Sequence, residues 1–222
     1  MRNTFLPFSP PLIGEEEIAE VLDTLRSDWL TTGPKVKRFE QEFAEFVGAP
    51  AALAVSSATD AMQVALAALG IGPGDEVITT TMTFCSTVHV IEHVGARPVL
   101  VDVLPDTLTL DPARVAEALT PRTRALLPVH LYGHPCEMDA LLELAQQHHL
   151  AIVEDAAHAL PARYKGRLIG AALTASDLAT CNSQLTTHNS QLATCFSFYA
   201  TKNLTTAEGG MVTGEADLID RA

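Results

Sequence analysis

Lys202 is the residue of this sequence whose type and position best suit covalent chemistry. It follows the short apolar segment Phe196–Tyr199, which predicts a strand, and it precedes the turn at Gly209 and Gly210. A lysine just past a strand end is poorly placed for core packing, but it can present its amine to a cleft at the carboxyl edge of a sheet. Such an amine can form a Schiff base with a carbonyl compound. A lone lysine is by default a surface residue, so the assignment depends on its surroundings.

Small hydroxyl residues could supply an anion site beside this amine. Ser56–Thr59 lies between a predicted strand and a predicted helix, where free N–H groups at the helix N-terminus bind anions. The same residues could serve only as a helix N-cap, and the pattern alone does not separate the two interpretations. Ser197, shortly before Lys202, could add a hydroxyl to the same anion.

A carboxylate, an imidazole and an aromatic ring follow other predicted strands. Asp155 ends the most apolar strand, where a carboxylate is costly unless it is paired. A protonated pyridine nitrogen would be a suitable partner, and a helix N-cap is the alternative. His158 lies one predicted helical turn further along and could reach the same cleft or only satisfy the helix. Phe84 could stack on a planar ring or belong to the core.

These features together are more specific than any one of them. They provide a lysine amine, an acid for a ring nitrogen, an anion cradle and a stacking aromatic. Pyridoxal 5′-phosphate (PLP) uses all four kinds of group. The sequence therefore predicts a PLP site.

An α/β fold must position these residues. Continuous apolar runs alternate with helical patterns, which indicates a mostly parallel sheet of about seven strands with helices on both faces. Residues 1–50 are predicted to form an N-terminal helical segment, with two helices between Glu15 and Val47. Residues 51–222 are predicted to form the cofactor-binding domain. The strands are predicted at residues 52–55, 76–79, 98–102, 125–129, 151–155, 196–199 and 210–213.

Three tandem heptads, at 175–181, 182–188 and 189–195, interrupt this pattern. Only the fourth position of each is a large aliphatic residue, so the repeat has no coiled-coil seam. We interpret residues 182–195 as an insertion derived from the repeat and predict a surface loop, because loop-closure entropy grows slowly with length. If the insertion shifted the register of the next strand by one residue, Ser197 and Lys202 would change faces.

Composition limits the partners and the compartment. The formal net charge of −13 argues against nucleic acid and anionic membrane surfaces as partners. No secretory signal and no membrane-spanning run is evident. The four cysteines form no CxxC pair, which favours a reducing cytoplasm. His89 and His93 are one helical turn apart but have no evident third ligand, so no metal site is predicted.

Several segments resemble the DegT/DnrJ/EryC1/StrS family of sugar aminotransferases, and the resemblance covers nearly the whole chain apart from the heptads. It implies the large domain of the PLP fold type I architecture, usually in a homodimer. It also implies transfer of an amino group from glutamate, which becomes 2-oxoglutarate, to a keto group of a nucleotide-linked sugar. One subgroup suggests a UDP-4-keto-pentose. The resemblance lies in residues 29–34, 56–59, 74–78, 121–130, 154–158 and 196–203.

The resemblance also implies a role for each matching residue. Lys202 would form the Schiff base with the cofactor and shuttle the proton, and Asp155 would pair with the pyridine nitrogen. His158 would lie near the ring hydroxyl, where many relatives carry glutamine. The remaining cofactor contacts would be Ser57, Ala58 and Ser197 at the phosphate, and Phe84 on the ring.

The length of the chain leaves a second hypothesis open. Relatives in this family continue for roughly another 150 residues, about one small domain, and that part shapes their sugar pocket. The alternative is therefore a truncated, catalytically silent remnant that binds the cofactor weakly or not at all.

Overall fold

The computed structural model describes residues 4–173 and 191–222. Two helices, α1 (Glu15–Arg26) and α2 (Pro34–Val47), begin the described chain on either side of Trp29, as the sequence predicts. Within the described ranges, no helix combines the length and the apolar character needed to cross a bilayer. The later helices are α3 (Ala58–Ala68), α4 (Ser86–His93), α5 (Pro112–Ala118), α6 (Met138–His148) and α7 (Ala216–Ile219).

The strands of the described residues form one seven-stranded sheet and one small hairpin. The hairpin has strands of two residues, which are too short for a periodic signal, and the sequence did not predict it. In chain order the strands of the sheet are β1 (Ala51–Val55), β2 (Glu76–Thr80), β3 (Arg97–Val101), β4 (Thr123–Leu127), β5 (Ala151–Asp155), β8 (Leu192–Ser197) and β9 (Gly210–Gly214), and those of the hairpin are β6 (Arg163–Tyr164) and β7 (Arg167–Leu168).

The sheet has the order β1-β9-β8-β5-β4-β2-β3. Strands β8, β5, β4, β2 and β3 pair in parallel, whereas β9 runs antiparallel to both β1 and β8. The prediction of a mostly parallel sheet is confirmed, and each predicted strand overlaps an observed one. The carboxyl ends of the parallel strands therefore lie along one edge, where ligands bind in open α/β sheets.

Both faces of the sheet are covered, which explains why its central strands carry apolar residues at successive positions. In β5, Ala151 and Val153 pack in a cluster with residues of α3 and α4, whereas Ile152 packs in a cluster with residues of α5 and α6 on the other face. Successive side chains of a strand point to opposite faces. A strand with helices on both sides therefore needs an apolar residue at nearly every position.

Helix α2 packs against the end of β8 and the residue after it, which lead to Lys202. The rings of Phe43 and Phe196 lie 5.1 Å apart, and those of Phe39 and Phe198 lie 5.3 Å apart. Aromatic pairs at these distances stabilise a contact beyond the area that they bury. This packing fixes which face of β8 is turned toward α2, and the register of β8 on β9 pairs Ser197 with Gly210.

Strand β8 begins inside the segment that the sequence predicts to be a loop. Residues 192–195 pair with β5 and β9, and Ala193, Thr194 and Cys195 are buried. The loop prediction for 182–195 is therefore wrong for 192–195, because these small or apolar residues can fill the place between two strands. Residues 182–190 lie outside the described residues. The strand also ends at Ser197 rather than at Tyr199.

Candidate active site

A cavity of about 600 Å³ lies at the edge where β1, β2, β4, β5 and β8 end. Its walls come from the loops that follow these strands and from Glu208 and Gly209, just before β9. A volume of this size suits a cofactor or a small ligand. The fold thus brings together every site residue predicted from the sequence. The predicted residues that line the cavity are Ser57, Ala58, Phe84, Asp155, His158, Ser197 and Lys202.

Lys202 is half-buried in the wall of this cavity. Its backbone N–H donates to the carbonyl of Tyr199 at 2.9 Å, which forms a turn just after β8. Burial lowers the pKa of the Lys202 amine, and attraction to Asp155 opposes this shift only in part. At a given pH, Lys202 is therefore neutral more often than an exposed lysine, and a neutral amine is the nucleophilic form.

Asp155 ends β5 and is only 5% exposed. Its Oδ2 accepts a hydrogen bond from Thr87 Oγ1 at 2.8 Å, and its Oδ1 accepts one from the N–H of Ala157 at 3.2 Å. The described residues directly after Asp155 form turns and begin no helix, so the N-cap alternative for Asp155 is wrong. His158 reaches the cavity through a turn rather than through the predicted helix.

Thr87 is the partner of Asp155 that the sequence did not reveal. The hydroxyl oxygens of Thr83 and Thr87 lie 2.7 Å apart. A hydroxyl has one proton to donate, and Thr87 gives its proton to Asp155, so the proton between the two threonines must come from Thr83. The result is a short chain of hydrogen bonds that ends on the carboxylate. Such chains polarise one another and strengthen their last bond.

The start of α3 supplies donors for an anion. Ser57 Oγ accepts from the N–H of Asp60 at 3.1 Å and therefore caps the helix. The N–H groups of Ala58 and Thr59, at the first two helical positions, have no intrahelical acceptor. Capping and anion binding thus use different groups, and the two interpretations of Ser56–Thr59 are compatible.

Glycine at position 210 allows β9 to approach this helix start. A Cβ at Gly210 would lie 2.4 Å from the carbonyl carbon of Ser57, a distance that no side chain can occupy. The backbone of β9 therefore borders the anion site directly. Any larger residue at this position would have to displace the first turn of α3.

Phe84 and Ser197 lie at the cavity in different ways. Phe84 is 73% exposed, so the alternative that it belongs to the core is wrong, and its ring face is available to a ligand. Ser197 is the last residue of β8, and its Oγ accepts a weak hydrogen bond from the N–H of Tyr199 at 3.4 Å. Among the described residues its hydroxyl proton has no acceptor, so it can bond to an acceptor in the cavity.

A second buried carboxylate, Glu154, lies on the opposite face of β5. Its Oε1 is 3.5 Å from His130 Nε2, and its Oε2 accepts from the hydroxyl of Thr194. The N–H of Cys136 donates to His130 Nδ1 at 3.1 Å. That nitrogen therefore acts as an acceptor, and Nε2, beside Glu154, carries the ring proton. Each of the two carboxylates at the end of β5 thus has its own partners.

Comparison with known proteins identifies relatives of the whole chain. The model of the DegT/DnrJ/EryC1/StrS aminotransferase family matches residues 11–222. The spore coat polysaccharide biosynthesis protein SpsC of Bacillus subtilis is 52% identical over 221 residues, which are 99% of this chain and 52% of SpsC.

Solved structures of related proteins superpose closely. Spr1654 of Streptococcus pneumoniae in its PMP form has a TM-score of 0.83 at 39% identity, over 96% of this chain and 52% of that one. The PLP form gives 0.83 at 40% identity, over 95% and 53%. DesI, crystallised in the presence of its TDP-sugar product, gives 0.82 at 39% identity, over 96% and 50%. The chain thus spans about half the length of the relatives that it matches.

We expect Thr87→Val to lower the free energy of unfolding by about 1.5–3 kcal/mol, because it removes a hydrogen bond to a buried charged group. Valine keeps the shape of threonine, so packing changes little. Thr87→Ser keeps the hydroxyl and should recover most of the loss. Urea unfolding at pH 7 measures both effects. Equal stability of Thr87→Val and wild type would show that the bond to Asp155 contributes nothing.

Proposed function

We propose that this chain, which belongs to the DegT/DnrJ/EryC1/StrS aminotransferase family, contains the PLP-binding part of an enzyme that transfers an amino group from glutamate to a nucleotide-linked sugar. The observation that carries the proposal is the shared cavity of Lys202, Asp155 and the first turn of α3. Aminotransferases of this family use PLP. The PLP and PMP forms of Spr1654 and the TDP-sugar product of DesI support the same chemistry and substrate class.

The donors and acceptors of the cavity fit PLP. A phosphate needs N–H and hydroxyl donors at a helix start. The N–H of Ala58 and the hydroxyl of Ser197 offer them at the cavity, and the Ser57 hydroxyl would join them by turning from Asp60 Oδ2, to which it now donates. A protonated pyridine nitrogen needs a buried anion, and the Asp155 carboxylate is held in place with lone pairs to spare. When bound, PLP supplies an electron sink for carbanionic charge.

The side chains of this chain would do the remaining work. Lys202 would anchor the cofactor through its amine, and its neutral Nζ would take up the proton from the substrate carbon. Asp155 would keep the proton on the pyridine nitrogen. Phe84 would cover the ring face, and His158 would lie at the ring hydroxyl. Burial of Lys202 favours the neutral amine that both of its tasks require.

The substrate proposed is a UDP-4-keto-pentose, with glutamate as amino donor. SpsC is named for polysaccharide biosynthesis, a process that consumes activated sugars. The alternative is a catalytically silent remnant of such an enzyme that binds the cofactor weakly or not at all. Cofactor binding and turnover separate the two.

We also propose a homodimer. Helix α1 buries none of its residues, and Ile18, Val21, Leu22 and Leu25 are 43–60% exposed at the spacing of one helical face. An apolar face of this kind commonly marks an interaction site, and a second copy of the chain would cover it. We expect light scattering to give twice the mass of one chain, and Leu22→Asp to reduce it. A monomeric wild type would refute the dimer.

PLP added to the purified protein should produce an absorption band at roughly 410–430 nm, which is typical of PLP joined to a lysine amine. Lys202→Ala should lack the band. The matched control is Lys37→Ala, which removes an exposed lysine outside the cavity and should leave the band unchanged. A band that persists in Lys202→Ala would contradict the assignment of Lys202.

Glutamate and a UDP-4-keto-pentose should give 2-oxoglutarate and an amino sugar with wild type and not with Lys202→Ala. A UDP-4-keto-hexose should react much more slowly, because an added group must fit a pocket shaped for the smaller sugar. Mass spectrometry of the sugar product measures both. Preference for the hexose would contradict the pentose. A weak or absent PLP band together with no turnover of either sugar would favour the remnant.

A further inference from the structure

Tyr132 and His158 form a stacked pair in the cavity wall. Their ring centroids lie 5.6 Å apart with an angle of only 4° between the planes. The backbone N–H of Tyr132 also donates to His158 Nδ1 at 3.3 Å. The ring of Tyr132 is left mostly in solvent, since the residue is 80% exposed. The ring of Tyr132 therefore packs mainly against the imidazole and not into the hydrophobic core.

The backbone around Tyr132 is shaped to make this contact. Tyr132 has a φ of 52°, in the left-handed region that a bulky residue rarely adopts. At the next position, a Cβ on Gly133 would lie 3.0 Å from the carbonyl oxygen of His158, and the φ of Gly133 is 83°. Non-glycine residues in this region persist where the surrounding structure holds them, often at functional sites. Tyr132 therefore packs against the ring of His158, and Gly133 packs against its backbone.

The hydrogen bond from Tyr132 determines where the imidazole carries its proton. Because an N–H group donates to Nδ1, this nitrogen must offer its lone pair, and the neutral ring holds its proton on Nε2. If Nδ1 were protonated, its N–H would face the backbone N–H of Tyr132, and neither donor would have an acceptor. Burial, and then the positive charge of Lys202, lower the pKa of His158, while Asp155 opposes the shift. The neutral form of the ring is therefore favoured over the cationic one.

We propose that Tyr132 is a positioning residue that, together with Gly133, holds His158 as a neutral donor whose Nε2–H is offered to an oxygen acceptor in the cavity. The inference rests on the proposed function only for the identity of that acceptor, the ring hydroxyl oxygen of PLP. The arrangement itself belongs to the protein without cofactor. A freely rotating or charged imidazole would present either nitrogen, and its donor would not be fixed.

The test is ¹⁵N NMR of the imidazoles in the cofactor-free protein from pH 5 to 9, with His158→Gln used to assign the signals. In wild type at pH 7 we expect His158 Nδ1 to be unprotonated and Nε2 to be protonated. Tyr132→Phe keeps the ring and should change neither the tautomer nor the titration midpoint. Tyr132→Ala and Tyr132→Gly lose the ring, and their midpoints should rise by about 0.5–1 pH unit as His158 becomes more solvated.

Tyr132→Gly separates the two contributions of this residue, because glycine adopts a φ of 52° without strain. A rise of the midpoint in Tyr132→Gly therefore reports the lost ring and not a relaxed backbone. Protonated Nδ1 in wild type at pH 7, or midpoints in both truncations equal to that of wild type, would overturn the proposal. No PLP is present in these measurements, so a failure of the proposed function leaves their outcome unaffected.

Discussion

The carboxylate of Asp155, buried at the end of an apolar strand, is the constraint on which the site depends. A charge in that position is tolerated only with partners, and two elements supply them. Helix α4 contributes the hydroxyl of Thr87, and the turn after β5 contributes the N–H of Ala157. These bonds fix the direction of the carboxylate and leave other lone pairs for a cationic group. Helix α4 and the turn thus have to stay where they are for the charge to remain buried.

Polar contacts also fix the other face of β5 at its carboxyl end. Glu154 points away from Asp155 and meets His130 and Thr194, which come from the loop after β4 and from β8. The N–H of His130 also donates to the carbonyl of Asp155 at 3.0 Å. Since β4 and β8 flank β5, the strand end is tied to both neighbours. The loops that bear Tyr132 and Lys202 leave these same two neighbours, so the network on one face helps to place the functional groups on the other.

Local patterns in the sequence were enough to predict the strands and the residues that follow them. Lys202, Asp155 and Ser57 could be recognised because each comes directly after an apolar run, and the topology of a parallel sheet then gathers such positions at one edge. Thr87 and Tyr132 could not be recognised in this way. Their partners are distant in the chain, and their contacts depend on how a helix and a left-handed turn are placed in three dimensions.

Two predictions from the sequence are wrong for physical reasons. A helix was expected after Asp155, but the carboxylate bonds to Ala157 and the chain turns instead. The start of β8 was misplaced because residues 192–195 repeat a polar heptad, and only the space between β5 and β9 makes a strand of them. At Asp155 a local bond from backbone to side chain competes with the helix, whereas at β8 the tertiary pairing overrides the local signal.

The charges of the cavity argue for a ligand with separated positive and negative ends. Burial makes the cationic forms of Lys202 and His158 less favourable. Asp155 lies deep in the site, and Glu208 is exposed at the rim. A buried carboxylate suits a cationic partner, and a lysine amine that loses its proton more readily suits a carbonyl. The free N–H groups of α3 invite an anion at the other end. A phosphorylated pyridinium aldehyde carries all three groups on one rigid ring, and for this reason the electrostatics and the resemblance lead independently to the same cofactor.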